Sequence, residues 1–287
     1  MAMLRYFILL VLAALPAFAA NSPLHEQVTA LFKQHQWSDA QVLLEKATAA
    51  EPNNAEAWFY LGQSFLFRND ADNSVPALEK AAVLAPNNSI YQCYLGDAYG
   101  LSALKGGLFA KLGWANKCKA AYDKAVTLDP KNIRARVSVM EFCRQAPSFL
   151  GGGMDKAYEQ AAEIQKLDPA RGRKAYAGLY VSENKYAPAF ALYEAALKEK
   201  PGDEDSLYNI GRLAVISGEQ TDRGLGTLRE LLTHPGNAND APAQTAIGNL
   251  LEKKGDKAGA RAAYEAALVG DPKFVQALEA LRKLNQT

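Results

Sequence analysis

The chain has 287 residues, and its 32 Lys and Arg residues nearly balance its 31 Asp and Glu residues. The formal net charge of +1 gives no bulk field that attracts nucleic acid, so the composition argues against that class of partner. The length fits one or two ordinary domains, or an array of repeats that needs no single globular core.

The N-terminal residues 1–20 have the pattern of a secretory signal peptide. A single positive charge, Arg5, precedes an apolar run at about 6–15 and a small-residue site that predicts cleavage after Ala19 or Ala20. The run is shorter than the roughly 20 apolar residues that span a bilayer. We therefore expect a periplasmic or secreted chain, without stable membrane insertion once the signal is removed.

The stretch 55–88 sets the pattern for the rest of the chain. Apolar residues recur three and four positions apart on both sides of a polar break at 68–70, which predicts two helices joined by a turn. The defining residues follow in the order Trp58, Leu61, Gly62, Phe65, Ser74, Leu78, Ala81 and Pro86. This order resembles the tetratricopeptide repeat, W-x2-L-G-x2-Y…A-x3-F…P over about 34 residues, with Phe65, Ser74 and Leu78 at its Tyr, Ala and Phe positions.

The same unit recurs along the chain, so the resemblance implies an all-α, right-handed superhelical solenoid of tetratricopeptide helix–turn–helix repeats. One repeat domain over 21–287 is expected, and its first repeat matches the pattern least well, as terminal repeats do. The apolar face of the last segment predicts a C-terminal capping helix that covers the open end of the array. The predicted repeats are about 21–54, 55–88, 89–132, 133–169, 170–203, 204–240 and 241–274, and the cap is 275–287.

Two insertions lengthen the third and fourth repeats. The segment 101–117 is more apolar than a solvated loop, so it either folds back over the array or forms a partner-binding or groove-closing element. The segment 146–153 joins the two helices of the fourth repeat. Together they resemble the paired insertions of a set of secreted bacterial tetratricopeptide proteins, a resemblance that assigns them no role.

Glycines at one position of the repeats predict where the two helices of a unit approach most closely. We expect small residues of the second helices to face them, so that the larger side chains interlock around the contact. The glycines are Gly62, Gly96, Gly211 and Gly248, and the expected facing residues are Ala40, Cys118, Ala189 and Ala260.

The sequence has no pattern that indicates an active site, a cofactor or a metal site, so we expect a protein that is not an enzyme. The glycine run at 151–153 lacks the order of a phosphate-binding loop, and the histidines lack catalytic order. The cysteines lack zinc spacing. They either fill small core positions or supply one disulfide and one free thiol. They are Cys93, Cys118 and Cys143.

The first helices of the repeats are expected to line a concave groove in which a protein or peptide partner binds. Read by register, the candidate partner-binding residues are Phe59, Gln63, Tyr94, Asp97, Arg134, Glu141, Lys174, Tyr208, Asn209, Arg212 and Asn249. A basic strip in this groove suits an acidic peptide or a carboxylate, unless its members belong to a solvated face with its own salt bridges. The strip is Arg134, Arg144, Arg171, Lys174 and Arg212. Some family members hold a partner's C-terminal carboxylate with five Lys, Asn and Arg side chains, a set that this chain matches only at Lys174 and Asn209.

The resemblance implies protein binding, and with the predicted signal peptide we expect a non-catalytic protein–protein interaction scaffold or assembly factor in the periplasm. Two alternatives stay open. One is a subunit or accessory factor of an enzyme that processes the cell envelope, for which Asp97 and Glu141 are the nominated carboxylates. The other is a lipid or glycan carrier, which requires a closed apolar groove around 101–114.

Overall fold

The computed structural model of the chain describes residues 22–286. These residues form fifteen α-helices and one short 3-10 helix, with no strand among them. The expected all-α class is confirmed. The predicted signal peptide at 1–20 lies outside the described residues. Among the helices that are described, none is both long enough and apolar enough to cross a membrane.

The helices follow one another as pairs joined by short turns, and one pair lies in each segment expected to be a repeat. The first four pairs are α1 (Pro23–Lys33) with α2 (Trp37–Ala50), α3 (Ala55–Phe67) with α4 (Ala71–Leu84), α5 (Ser89–Lys105) with α6 (Leu108–Leu128), and α7 (Ile133–Gln145) with α8 (Met154–Leu167). The remaining helices are α9 (Pro169–Ser182) with α10 (Tyr186–Glu199), α11 (Glu204–Ser217) with α12 (Thr221–Leu232), α13 (Ala241–Lys253) with α14 (Lys257–Gly270), and the single α15 (Val275–Leu284).

These helices pack as two compact units. The first ends at Gly172 and the second begins at Arg173, so the division falls inside α9. The domain of 21–287 expected from the sequence therefore consists of two parts, which we call the N-terminal unit and the C-terminal unit.

Side-chain caps explain where several first helices begin. Asn54, Asn88 and Asn132 precede α3, α5 and α7, and each accepts a hydrogen bond from a backbone N–H of the first turn. Asp203 and Asp240 cap α11 and α13 in the same way. Such a cap contributes about 1 kcal/mol. The start of each of these first helices is therefore fixed by a local interaction.

Each of four glycines lies against one large side chain of the paired helix. A Cβ atom added at any of them would lie 2.3–2.4 Å from the nearest side-chain atom, which is too close for any real contact. The pairs are Gly62 with Leu78, Gly96 with Tyr122, Gly211 with Leu228, and Gly248 with Tyr264. The expected close approach is confirmed, but the nearest atoms belong to large residues. The small residues expected there are buried one turn earlier in the repeat pattern: Ala40, Cys118, Ala189 and Ala260.

The insertion 101–117 is helical and lengthens both helices of its pair. Helix α5 has 17 residues and α6 has 21, whereas α3 and α4 have 13 and 14. The insertion 146–153 contains the 3-10 helix, Ser148–Leu150, followed by a turn at Gly151 with φ 83°. Phe149 at its tip is 76% exposed. The first insertion thus extends two packed helices, whereas the second is a turn that contacts α6.

All three cysteines are free and buried, so the disulfide alternative is not realised in this structure. Burial raises the pKa of Cys93 to about 12 and that of Cys118 to about 12. Burial also raises the pKa of Cys143. The three side chains are thiols at neutral pH and act as small core residues.

Helix α15 covers the end of the C-terminal unit. Ala277 and Leu284 are buried against α13 and α14, whereas Val275 and Leu278 stay exposed. A helix with one buried face and one solvated face at the end of an array is the expected capping helix.

Candidate protein-binding site

The aromatic residues expected in the groove of the N-terminal unit lie in its core instead. Phe59 has no exposed surface, and Tyr94 is 3% exposed. The Phe59 ring stacks on Tyr91 with centroids 4.6 Å apart and meets the Tyr94 ring edge-on at 5.1 Å. Gln63 is also buried and hydrogen-bonds Tyr94. These side chains join α3 to α5, so the assignment of Phe59, Gln63 and Tyr94 to an accessible surface is corrected.

Arg134 on α7 connects to α5 through a compact polar network. Its guanidinium forms an ion pair with Asp97 and lies 4.0 Å from the centre of the Tyr94 ring. Asp97 also accepts a hydrogen bond of 2.7 Å from the Tyr122 hydroxyl. Burial lowers the pKa of Arg134, but Asp97 together with Tyr94, Cys93 and Tyr122 raises it overall. Burial, with a further contribution from Asp97, raises the pKa of Tyr122. The network fixes neighbouring first helices rather than leaving a free charge.

The two carboxylates nominated for an enzymatic role are each held by a different arginine. Asp97 is paired with Arg134, and Glu141 accepts hydrogen bonds of 2.9 and 2.6 Å from Arg144. Each carboxylate is therefore occupied by an arginine of its own unit. Within the described residues, no group of three or more His, Cys, Asp or Glu side chains is arranged to hold a metal ion.

The candidate residues of the C-terminal unit contact one another around Asp205. Lys174 Nζ lies 2.6 Å from Asp205 Oδ1, and the Asn209 amide donates to the Asp205 carbonyl at 2.7 Å. Arg212 is exposed, and its nearest hydrogen-bond acceptor is Asn209 Oδ1 at 3.5 Å. Farther along, the Asn249 amide oxygen accepts a hydrogen bond of 2.9 Å from a tyrosine hydroxyl of α14.

Four of the five cations expected to form a basic strip are paired with carboxylates inside their own unit. The pairs are Arg134 with Asp97, Arg144 with Glu141, Arg171 with Asp168, and Lys174 with Asp205. Among the described ion pairs, Arg212 is in none. The structure therefore favours the alternative of a helix surface with its own salt bridges over a strip of free positive charge.

The C-terminal unit instead contains an acidic pocket of about 380 Å³. Its lining residues are Glu204, Asp205, Tyr208, Leu231, Asn237, Asp240 and Pro242. Hydrogen bonds from His234 and Asn237 lower the pKa of Glu204. Burial raises the pKa of Tyr208, so its hydroxyl remains protonated. Three carboxylates, one phenol and two apolar side chains thus converge on one opening, which is the combination that accommodates a cationic group.

The comparisons with known proteins agree with the helix-pair architecture. Two family models, both described as tetratricopeptide repeat, match residues 25–89, and residues 101–132 with 241–269. The chain contains tetratricopeptide repeats. It is 32% identical over 130 residues to cellulose synthase operon protein C of Pseudomonas fluorescens SBW25, a match that covers 42% of this chain and 10% of that protein. The chain therefore spans about a tenth of the length of this curated relative.

Solved structures share the helix-pair fold over most of the chain. Yeast Tom70 is 15% identical and aligns with 95% of this chain and 58% of its own, with a TM-score of 0.68. A tetratricopeptide repeat protein from Parabacteroides merdae is 16% identical over 92% of this chain and 98% of its own, with a TM-score of 0.60. A thermophilic tetratricopeptide repeat protein from Thermus thermophilus is 20% identical and aligns with 66% of this chain and 96% of its own, with a TM-score of 0.54. Identities this low show the fold alone.

The acidic pocket lies mainly on the first helices of two successive helix pairs. Glu204, Asp205 and Tyr208 come from α11, and Asp240 and Pro242 come from the start of α13. Of these residues, only Tyr208 was predicted from the sequence as a binding residue. The acidic residues at 203–205 are evident in the sequence. Their proximity to Asp240 is not, because about 35 residues separate them along the chain.

Proposed function

We propose that the protein is a non-catalytic scaffold in the periplasm that binds a protein or peptide partner through the first helices of its C-terminal unit. Tetratricopeptide repeat proteins typically mediate protein–protein interactions, and the acidic pocket is the observation that carries the proposal. The curated relative takes its name from a cellulose synthase operon, but the match covers 10% of it. We therefore take only the repeat architecture from that relative.

The chemistry of the pocket selects a partner with a lysine or arginine side chain. Glu204 is 56% exposed on its side chain and Asp205 is 32% exposed. Glu204 contacts His234 and Asp205 pairs with Lys174, so a partner's cation would share or replace these contacts. The Tyr208 ring and Pro242 supply apolar surface for the methylene stem of such a side chain. An acidic partner, which the sequence suggested, would require free cations, and four of the five candidates are already in ion pairs.

Selection from a displayed random-peptide library, followed by affinity measurements, tests the proposal. We expect the selected peptides to contain Lys or Arg and to lose about tenfold in affinity with Glu204→Gln combined with Asp240→Asn, equivalent to about 1.4 kcal/mol. Asn retains the capping function at position 240. The control is Glu219→Gln with Glu265→Gln, which removes the same charge from exposed positions outside the pocket. Selection of acidic peptides, or equal losses in both variants, would refute the proposed pocket chemistry.

The periplasmic location is tested separately by fractionation of the source cell and N-terminal sequencing. We expect the protein in the periplasmic fraction with Ala20 or Asn21 as its first residue. Recovery in the cytoplasm with an uncleaved N-terminus would refute this part of the proposal and leave the peptide-binding part untouched.

A further inference from the structure

Helices α5 and α6 are longer than the helices of the preceding pair at the end where they are joined. We call this end, residues 101–117, the hairpin tip. Relative to α3 and α4, α5 gains four residues and α6 gains seven. At a rise of 1.5 Å per residue these additions extend the helices by about 6 and 10 Å. The hairpin tip is therefore an extension of this helix pair.

Several apolar and aromatic side chains of the hairpin tip are partly or largely exposed. Leu104 is 50% exposed, and Leu112 and Trp114 are partly exposed. The Trp114 ring stacks on the Tyr99 ring at 5.7 Å, which holds its orientation. The ammonium group of Lys117 lies 4.8 Å from the centre of the same indole. A fixed indole next to a lysine is a combination that favours the boundary between apolar material and water.

The charge of the hairpin tip has one sign. No Asp or Glu occurs from Ala98 to Tyr122. Within residues 22–286, none of the ion pairs involves Lys105, Lys111 or Lys117. Lys105 donates to a backbone carbonyl, and Lys117 lies over the Tyr99 and Trp114 rings. The hairpin tip therefore carries three lysines that are in none of the described ion pairs, and one of them lies beside Trp114.

We propose that the hairpin tip docks peripherally on an anionic phospholipid surface. Lysines attract anionic headgroups, while leucine and tryptophan side chains enter the interface between headgroups and acyl chains. Such an extension inserts into a soft lipid surface without a complementary cavity, whereas a protein partner has to supply a matching depression. This site is independent of the acidic pocket, because it lies in the other unit and carries the opposite charge.

Vesicle flotation tests the proposal with phosphatidylglycerol vesicles and with phosphatidylcholine vesicles. The full chain is used as recovered from its host, and all variants share one N-terminus, so any membrane affinity of 1–20 contributes equally. We expect binding to phosphatidylglycerol vesicles in 50 mM NaCl that falls at least tenfold in 500 mM NaCl. Replacing one tip lysine with Gln lowers the partition coefficient about fivefold, and replacing all three lowers it about 100-fold.

The control variant has three exposed lysines of the same unit changed to Gln outside the hairpin tip, at Lys46, Lys80 and Lys131. A control that loses as much binding as the tip variant would overturn the assignment to the tip. Bromine-labelled lipids quench nearby indoles, so we expect quenching that disappears with Trp114→Phe. Equal binding to both kinds of vesicle would overturn the proposal. Binding to polyglutamate without binding to vesicles would also overturn it, and would indicate an acidic protein partner.

Discussion

Replacing Arg134 with Met tests whether the polar network of the N-terminal unit is a structural element. The side chains of Arg134 and Asp97 are each 17% exposed, so the ion pair is largely buried. Removing one partner of a buried pair costs about 3–5 kcal/mol, and the stacking on Tyr94 contributes up to about 1 kcal/mol. Allowing for the remaining exposure, we expect the free energy of unfolding of this unit to fall by about 3 kcal/mol.

A second substitution, Asp97→Asn, should stabilise the Arg134→Met variant. Asp97→Asn retains the acceptor for Tyr122 but removes the charge left unpaired by Arg134→Met. The double variant should therefore be about 2 kcal/mol more stable than Arg134→Met alone. Arg171→Met serves as the surface control, because its pair with Asp168 is exposed and its loss should cost less than about 0.5 kcal/mol.

Urea unfolding followed by tryptophan fluorescence gives the measurement. All three tryptophans of the chain, Trp37, Trp58 and Trp114, belong to the N-terminal unit, so the signal reports that unit alone. With a urea slope of about 2 kcal/mol/M, a loss of 3 kcal/mol lowers the midpoint by about 1.5 M. A double variant that is no more stable than Arg134→Met would refute the assignment of the cost to an unpaired buried charge.

The other predictions concern packing, thiols and pH. Gly96→Ala should destabilise the N-terminal unit by about 1–3 kcal/mol in the same assay, whereas Gly113→Ala should stabilise it by about 0.5–1 kcal/mol, because an added Cβ meets a tyrosine ring only at the first site. The three thiols should react with Ellman's reagent only after denaturation; fast native labelling, or fewer than three thiols in denaturant, would contradict their buried and free state. Burial raises the pKa of Asp203, but hydrogen bonds from Ser206 and from a lysine lower it overall. Its stabilising effect is therefore present above the unfolded pKa near 4 and is lost as the pH falls through the folded pKa. Asp203→Ala should cost about 1 kcal/mol at pH 7 by circular dichroism, and an unchanged difference at pH 3 would oppose this reasoning.

The helix pairs were predictable because their signals are local in the sequence. Gly62 and Pro86 have fixed places within one repeat, and each reflects a constraint on a single helix or turn. Asn54 and Asn88 likewise cap helices through residues two or three positions away. A pattern read along one chain recovers interactions of this range.

The surface residues were less predictable because they depend on contacts between repeats. Phe59 has the register of a first-helix residue in a groove, but the tyrosines of α5 cover it. Lys174 looked like a free cation until the structure placed it beside Asp205, thirty-one positions later. Periodicity identifies the face of a helix, but it does not distinguish a side chain open to a partner from one covered by the next repeat.

The tyrosine hydroxyls of the second helices determine how repeats of this chain can be exchanged by protein engineering. Tyr122 donates to Asp97 of its own helix pair, and Tyr264 donates to Asn249 and Glu252 of its own pair. Two other pairs have a leucine at this contact, which needs no acceptor. A second helix grafted alone into another repeat would therefore leave a buried hydroxyl without an acceptor or a buried acceptor without its donor. The complete helix pair is the smallest interchangeable part of the chain.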